Sequence, residues 1–241
     1  MRPILTIVVF VGLLAACAPL PPRNPLATWV PSPNRELRRP ILIVLHATEQ
    51  DSVRESLDTL RSRNGGGPVS AHYLIGRDGR RYQLVADNER AWHAGSGHWG
   101  TITDVNNASI GIELDNTGGA PFPPAQIDSL LVLLEDLCTR LRIPRAQVIA
   151  HSDMAPTRKV DPGKLFPWRR LAEAGFGVWP VDTGEPPPGF DPWLALRLFG
   201  YPIDDRAAAV RSFHLRFRGN DSEVLDDEDL RILHALTREQ P

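Results

Sequence analysis

Cysteine is scarce in this chain, and so are blocks of positive charge and long apolar runs. Only two cysteines occur among 241 residues, too few for a framework of several disulfides. No cluster of lysine and arginine stands out and the formal net charge is −2, which argues against a nucleic-acid-binding protein. No internal repeat is visible. Hydrophobic residues still make up 42% of the sequence, a share typical of a globular protein with a buried core.

The longest apolar run, Ile4–Leu14, is too short to cross a bilayer as a helix, which needs about 20 residues. It follows Arg2, and this arrangement is typical of a secretory signal peptide. The run leads into Leu-Ala-Ala-Cys at residues 14–17, which resembles the lipobox of bacterial lipoproteins. We therefore predict a lipoprotein signal peptide over residues 1–16. A plain signal peptide followed by an incidental cysteine is the alternative.

In the lipoprotein interpretation Cys17 carries the lipid and attaches the protein to the periplasmic face of a bacterial membrane. Ala18, in place of an aspartate, resembles lipoproteins that are sent to the outer membrane. Cys138 then has no disulfide partner. It lies on an apolar stripe with helical spacing, which predicts a buried and inert thiol.

Proline marks the boundaries of the predicted domains. The 23 prolines cluster near the N-terminus and between residues 180 and 192, a distribution typical of linkers. We predict a tether over residues 17–37, a main domain over 38–177, a second linker over 178–189 and a helical domain over 190–239.

Strand patterns alternate with helix patterns in the main domain. Two runs around Asp78-Gly79, residues 72–75 and 81–85, are typical of a hairpin. A long amphipathic helix begins at Pro123 or Pro124 and ends near Leu141. The predicted fold class is α/β, a central mixed sheet flanked by helices, with a small all-α C-terminal domain of three helices. Further strands are predicted at residues 41–45, 109–114 and 148–150.

Three polar residues, His46, Glu113 and His151, stand at or just after the ends of predicted strands. Such positions carry side chains to the rim of a sheet, where sites form in α/β proteins. Each residue alone is more often structural: a histidine there usually caps or packs, and a glutamate on an alternating strand usually faces solvent. The polar loop after His151 weakens this interpretation because it holds Lys159 and Asp161 close to the histidine.

Two imidazoles and one carboxylate form the three-ligand set of a catalytic zinc site, which leaves a fourth position for water. Zinc lowers the pKa of such a water to about 7. A carboxylate that is not a ligand can then move the proton, and Glu113 is the natural candidate. Lys159 lies two residues before Asp161, where a cation could stabilise an oxyanion. Spacing alone does not make this hypothesis strong, because His46 and His151 are far apart in the sequence.

Seven short motifs occur in a fixed order between residues 31 and 175. They are Pro31–Asn34, Ile43–His46, Ser70–Ile75, Trp92–Gly95, Asn107–Leu114, Ile149–Asp153 and Arg158–Gly163. Each is weak by itself, but the ordered set is specific. It resembles the zinc-dependent N-acetylmuramoyl-L-alanine amidases of the AmpD/AmiD type, the family that includes the peptidoglycan recognition proteins.

The resemblance implies one zinc ion per chain, bound by His46, His151 and Asp161. Glu113 matches the family's catalytic glutamate, and Lys159 matches a lysine placed beside the reacting oxygen. The reaction implied is hydrolysis of the amide between N-acetylmuramic acid, or its anhydro form, and L-alanine in peptidoglycan or muropeptides.

Two further residues, Tyr73 and His93, match positions near the substrate in this family. Tyr73 could instead be a core residue and His93 part of a turn. A non-catalytic recognition module is one rival hypothesis, and the complete ligand set argues against it. A cytoplasmic recycling amidase is a second rival, and the signal sequence argues against that.

The C-terminal segment resembles a three-helix peptidoglycan-binding module. Leu198–Pro202 matches its turn, and Val210–Phe213 followed by Phe217 matches its second helix. The resemblance implies that the helices dock on glycan from a flexible linker. The alternative is that they pack on the main domain and only stabilise it.

Overall fold

A computed structural model describes residues 23–238 of the chain. The predicted signal peptide and Cys17 lie outside the described residues. Within residues 23–238, no helix has the length and apolar character needed to cross a membrane.

A mixed six-stranded sheet forms the centre of the molecule. Four of the five neighbouring strand pairs in this sheet run parallel. The fifth pair, which is the predicted hairpin, runs antiparallel. This arrangement confirms the predicted α/β class. In spatial order the strands are β1 (Thr28–Trp29), β7 (Arg81–Gln83), β6 (Tyr73–Ile75), β9 (Ser109–Leu114), β3 (Leu42–Ala47) and β10 (Val148–Ala150).

Two short antiparallel pairs lie outside the main sheet, β2 (Glu36–Leu37) with β8 (Glu89–Arg90) and β4 (Arg63–Asn64) with β5 (Gly67–Pro68). Helices cover both faces of the sheet and make up the described C-terminal segment, whose three helices agree with the predicted number. They are α1 (Val53–Thr59), α2 (Val105–Ala108), α3 (Pro124–Leu141), α4 (His151–Met154), α5 (Trp168–Glu173), α6 (Pro192–Phe199), α7 (Arg206–Phe217) and α8 (Asp227–Arg238).

The helical turn α4 replaces the loop that we predicted after β10. It begins at His151. The Asp153 carboxylate caps its N-terminus, because Oδ2 accepts from the Ala150 backbone N–H at 2.9 Å. Helix α5 begins at Trp168, with Pro167 as its N-cap residue.

Part of the predicted tether is structured against the sheet. Strand β1 pairs in parallel with β7, and the Asn24 amide donates to Asp136 Oδ2 on α3 at 2.8 Å. Backbone N–H groups of Val30 and Ser32 donate to β7 and the residue after it. Proline is tolerated on such an edge strand because one side of the strand needs no hydrogen bonds.

The two faces of the sheet have different covers. Ile43, Leu45 and Ile112 pack against α3 and α5. On the opposite face, Leu42 and Val44 share a buried cluster with residues of α6, α7 and α8. The C-terminal helices therefore continue the core of the main domain, in spite of the proline-rich segment that precedes them.

Candidate metal centre and active-site cavity

Three potential ligand side chains converge at the ends of β3 and β10. His46 is the fifth residue of β3, and His151 follows β10 directly. The two Nδ1 atoms lie 2.9 Å apart, and Asp161 Oδ2 lies 3.1 Å from His151 Nδ1 and 3.4 Å from His46 Nδ1. All three residues are buried. The strands thus bring together side chains that are distant in sequence.

Hydrogen bonds on the far side of each ring set the tautomers. His151 Nε2 lies 3.0 Å from the Ala94 carbonyl, which can only accept, so this nitrogen carries the proton and Nδ1 keeps its lone pair. Ser109 Oγ donates to Val105 O and so accepts from His93 Nε2. His93 Nδ1 is then an acceptor for His46 Nε2 at 3.0 Å. His46 Nδ1 is likewise free to coordinate a metal.

The donor set fits zinc. Zinc binds nitrogen and oxygen ligands at about 2.0–2.2 Å, and in a tetrahedron this places ligand atoms roughly 3.3–3.5 Å apart. The three separations found here are close to that spacing, and three ligands leave a fourth position open. Two neutral imidazoles with one carboxylate suit zinc better than calcium or magnesium, which prefer oxygen ligands alone.

Burial favours the protonation states that a metal requires. Burial, together with the charge of His151, lowers the pKa of His46 to about 4, so its imidazole is neutral at physiological pH. Burial alone would raise the pKa of Asp161, but interactions with His151 and His46 hold it below its ordinary value. At physiological pH the site therefore presents a neutral imidazole at His46 and an ionised carboxylate at Asp161, the forms in which these side chains bind metal.

Glu113 lies beside the ligands but bonds to none of them. It is paired with His46 across β9 and β3, and residues paired in this way project from the same face of the sheet. Its Oε2 is buried and has no hydrogen-bond partner among residues 23–238. Burial, with the nearby charge of Asp161, raises the pKa of Glu113 to about 8. This side chain is thus free of partners at the wall of the site, and its raised pKa makes it a stronger base than an ordinary glutamate.

A cavity of about 510 Å³ opens above the three ligands and includes Glu113, His93 and Lys159 in its lining. Lys159 is half-buried on the turn that follows α4, where its backbone N–H donates to Ala155 O at 3.0 Å. Its ammonium forms no ion pair within the described part of the chain. An unpaired cation and an unpaired carboxylate therefore face the same space.

Tyr73 does not belong to this site, and its predicted contact with substrate is corrected. Its side chain is fully buried, and its hydroxyl donates to Asp87 Oδ1 at 2.6 Å. Tyr73 pairs with Ile112 across the sheet and therefore shares the face covered by α3, while Glu113 projects from the other face. The core alternative is the correct one for this residue.

His93 lines the cavity, and its bond to His46 is a feature that the sequence analysis missed. Gly111 is the local reason that the ring fits: a Cβ there would lie 2.4 Å from His93 Cγ. The glycine in the interior of strand β9 was the available signal, because such a glycine often marks a close approach. His72 also has a structural role, since its Nδ1 accepts from the Gly111 N–H.

A comparison with known families matches residues 36–164, more than half of the chain, to N-acetylmuramoyl-L-alanine amidase (Amidase_2). The chain is 44% identical over 155 residues to the N-acetylmuramoyl-L-alanine amidase AmiD of Escherichia coli, covering 58% of this chain and 54% of that protein. It is 42% identical over 103 residues to the 1,6-anhydro-N-acetylmuramyl-L-alanine amidase AmpD of Haemophilus influenzae, covering 42% and 56%. The matches thus span about half the length of these relatives.

Solved structures show the same architecture. AmiD from E. coli, in complex with the substrate anhydro-N-acetylmuramic acid-L-Ala-D-gamma-Glu-L-Lys, aligns with a TM-score of 0.75 at 34% identity, over 84% of this chain and 90% of that one. AmpDh3 from Pseudomonas aeruginosa aligns with a TM-score of 0.74 at 30% identity, over 97% and 99%. The second alignment takes in nearly all of the chain, including the C-terminal helices.

Proposed function

This chain belongs to the N-acetylmuramoyl-L-alanine amidase family, and we propose that it is a zinc amidase that cuts the bond between N-acetylmuramic acid, or its anhydro form, and L-alanine. The observation that carries the proposal is the convergence of His46, His151 and Asp161 beside Glu113. A recognition module without activity would not need an uncommitted carboxylate next to a complete ligand set. The muropeptide held by the AmiD structure supports the substrate class.

The residues divide the reaction among themselves. Zinc, when bound by His46, His151 and Asp161, supplies a Lewis acid that polarises the scissile carbonyl and acidifies water. Glu113 accepts a proton from the attacking water and later donates it to the nitrogen of L-alanine as the carbon–nitrogen bond breaks. Lys159 offsets the negative charge that develops on the carbonyl oxygen. The lactyl carbon gains the hydroxyl and the leaving amine gains the proton, so the hydrolysis balances.

Replacing Lys159 with Ala is expected to lower kcat about 10²- to 10³-fold with zinc content unchanged, as loss of one oxyanion-stabilising group does elsewhere. Initial rates on a soluble muropeptide, with elemental analysis of the same samples, measure both quantities. Lys164, the other lysine of the chain, pairs with Asp221 at 3.1 Å outside the cavity lining, so Lys164→Ala is the matched control. Equal losses in both variants would contradict the role of Lys159.

We propose that a lipid on Cys17 attaches the enzyme to a membrane, and that this membrane is the outer membrane. Cys17→Ser is expected to move the protein from the membrane fraction to the soluble periplasmic fraction while its specific activity stays unchanged. A single acyl chain binds only marginally, but several chains together resist salt washing. Fractionation followed by immunoblotting measures the distribution. Recovery of the unsubstituted protein in the soluble fraction would contradict the lipid anchor.

A further inference from the structure

The helical turn α4, which carries the ligand His151, also carries a fully buried carboxylate, Asp153. Its Oδ2 accepts from the Ala150 N–H, which closes the start of the turn. Three further donors reach the same carboxylate from the C-terminal part of the chain. They are Arg216 Nη1 at 2.6 Å, Tyr201 OH at 2.9 Å and Ser212 Oγ at 3.3 Å.

Arg216 is committed to this contact. The residue is 3% exposed, and Asp153 is its only carboxylate partner among residues 23–238. Its other terminal nitrogen donates to the Val148 carbonyl in β10 at 3.3 Å, and its guanidinium lies over the Trp168 ring at 4.4 Å from the centroid. One side chain of α7 therefore holds both the strand that precedes α4 and the turn itself.

The turn α4 also connects the two ligands His151 and Asp161. The backbone N–H of Ser152 donates to the carbonyl of Asp161 at 3.0 Å, so α4 fixes the backbone of one ligand and contains the other. A shift of α4 would change the position of His151 and Asp161 at once. Metal sites depend on such supporting contacts, and losing one commonly weakens metal binding about 10- to 100-fold.

We propose that Arg216 is a positioning residue for the metal centre: through Asp153 it holds α4 so that His151 and Asp161 keep their spacing. The inference rests on the metal site of the proposed function. It gives the C-terminal helices a role inside the amidase itself, separate from any contact with glycan. Under the alternative, the same contacts add stability to the fold but leave the affinity for zinc unchanged.

Zinc affinity of the full chain, measured by competition with a chromophoric chelator below the melting temperature, separates the two. Arg216→Met keeps most of the side-chain volume and removes the donors, and it is expected to weaken zinc binding about 10- to 100-fold. Arg216→Lys, which keeps the charge and a single donor nitrogen, is expected to fall between this variant and the unsubstituted protein. This graded rescue depends on the contact with Asp153.

The matched control is His214→Gln on the same helix. His214 forms a buried pair with Asp229 at 2.8 Å, and within the described residues no side-chain hydrogen bond or ion pair joins it to α4. Its loss should therefore lower the melting temperature and leave zinc affinity unchanged. Tyr201→Phe removes one hydrogen bond to Asp153 and is the second variant to test if Arg216→Met does not fold. Its zinc affinity is expected to be several-fold weaker than that of the unsubstituted protein.

Folded variants at Arg216 or Tyr201 that bind zinc as tightly as the unsubstituted protein would overturn the inference. Weakening of equal size in His214→Gln would overturn it too. An unsubstituted protein that binds no zinc would instead contradict the proposed function, so the two failures are distinguishable.

Discussion

Replacing Glu113 with Gln is expected to lower kcat for muropeptide hydrolysis by about 10²- to 10⁴-fold while zinc stays bound. The substitution keeps the size of the side chain but removes its ability to take a proton from water. Glu113 forms no hydrogen bond with any of the three ligand side chains, so the metal should be retained. Initial rates over a range of substrate concentrations, with elemental analysis for zinc, measure the two effects separately.

Glu49 offers a matched control for this experiment. It lies in the lining of the same cavity and its charge acts on Glu113, but it is not paired with a ligand across the sheet. Glu49→Gln is therefore expected to cost much less than Glu113→Gln. If the Glu113 variant kept near-normal rates, or if both variants lost activity equally, Glu113 would not be the base.

Replacing His46 with Ala is expected to abolish zinc binding and activity together. The change leaves two donors in place of three, and it also removes the partner of His93 Nδ1. Since the proposed reaction needs both an acidified water and a polarised carbonyl, no other group in the cavity can substitute for the lost metal. Dialysis against a zinc buffer, followed by elemental analysis and a rate measurement on one sample, records both losses.

His98 is the matched histidine for that test. It lies outside the lining of the metal cavity, and its Nδ1 contacts the carbonyl of Gly100. His98→Ala should keep both zinc and rate. A His46 variant that retained its metal and its turnover would show that the ion, if there is one, is bound elsewhere.

The sequence could predict this site because parallel strands simplify the problem. Strands β3 and β10 are buried on both faces, so they are continuous apolar runs whose first polar residues mark the edge of the sheet. His46 and His151 are those residues. The alternation of β9 then predicts the face of Glu113, and the structure bears this out through the pairing of His46 with Glu113.

Tyr73 shows where the sequence was insufficient. A three-residue strand gives no indication of which face will be covered by a helix and which will open into a cavity. That choice depends on the register between β6 and β9, in which Leu74 and not Tyr73 is opposite Glu113. A shift of one residue would have reversed the assignment.

The C-terminal helices show a second limit. A proline-rich segment predicts a boundary in the chain, but it does not predict whether the parts on either side pack together. Arg216 and Asp153 are separated by 63 positions, and nothing in either local pattern indicates that they form a buried pair. A chain that ended near Pro180 would leave Asp153 without that partner and would expose Leu42 and Val44. A flexible linker would imply that the main domain is independent of the C-terminal helices, and we do not expect this.

The most direct test of the proposed amidase is the mass of the products formed from one defined anhydro-muropeptide by metal-depleted protein and by the same protein after zinc is restored. We expect no cleavage without metal. With zinc, the products should be the free anhydro-N-acetylmuramic acid and the intact stem peptide with a new amino terminus on L-alanine. Cleavage by the metal-depleted protein, or zinc-dependent products cut at any other bond, would contradict the account.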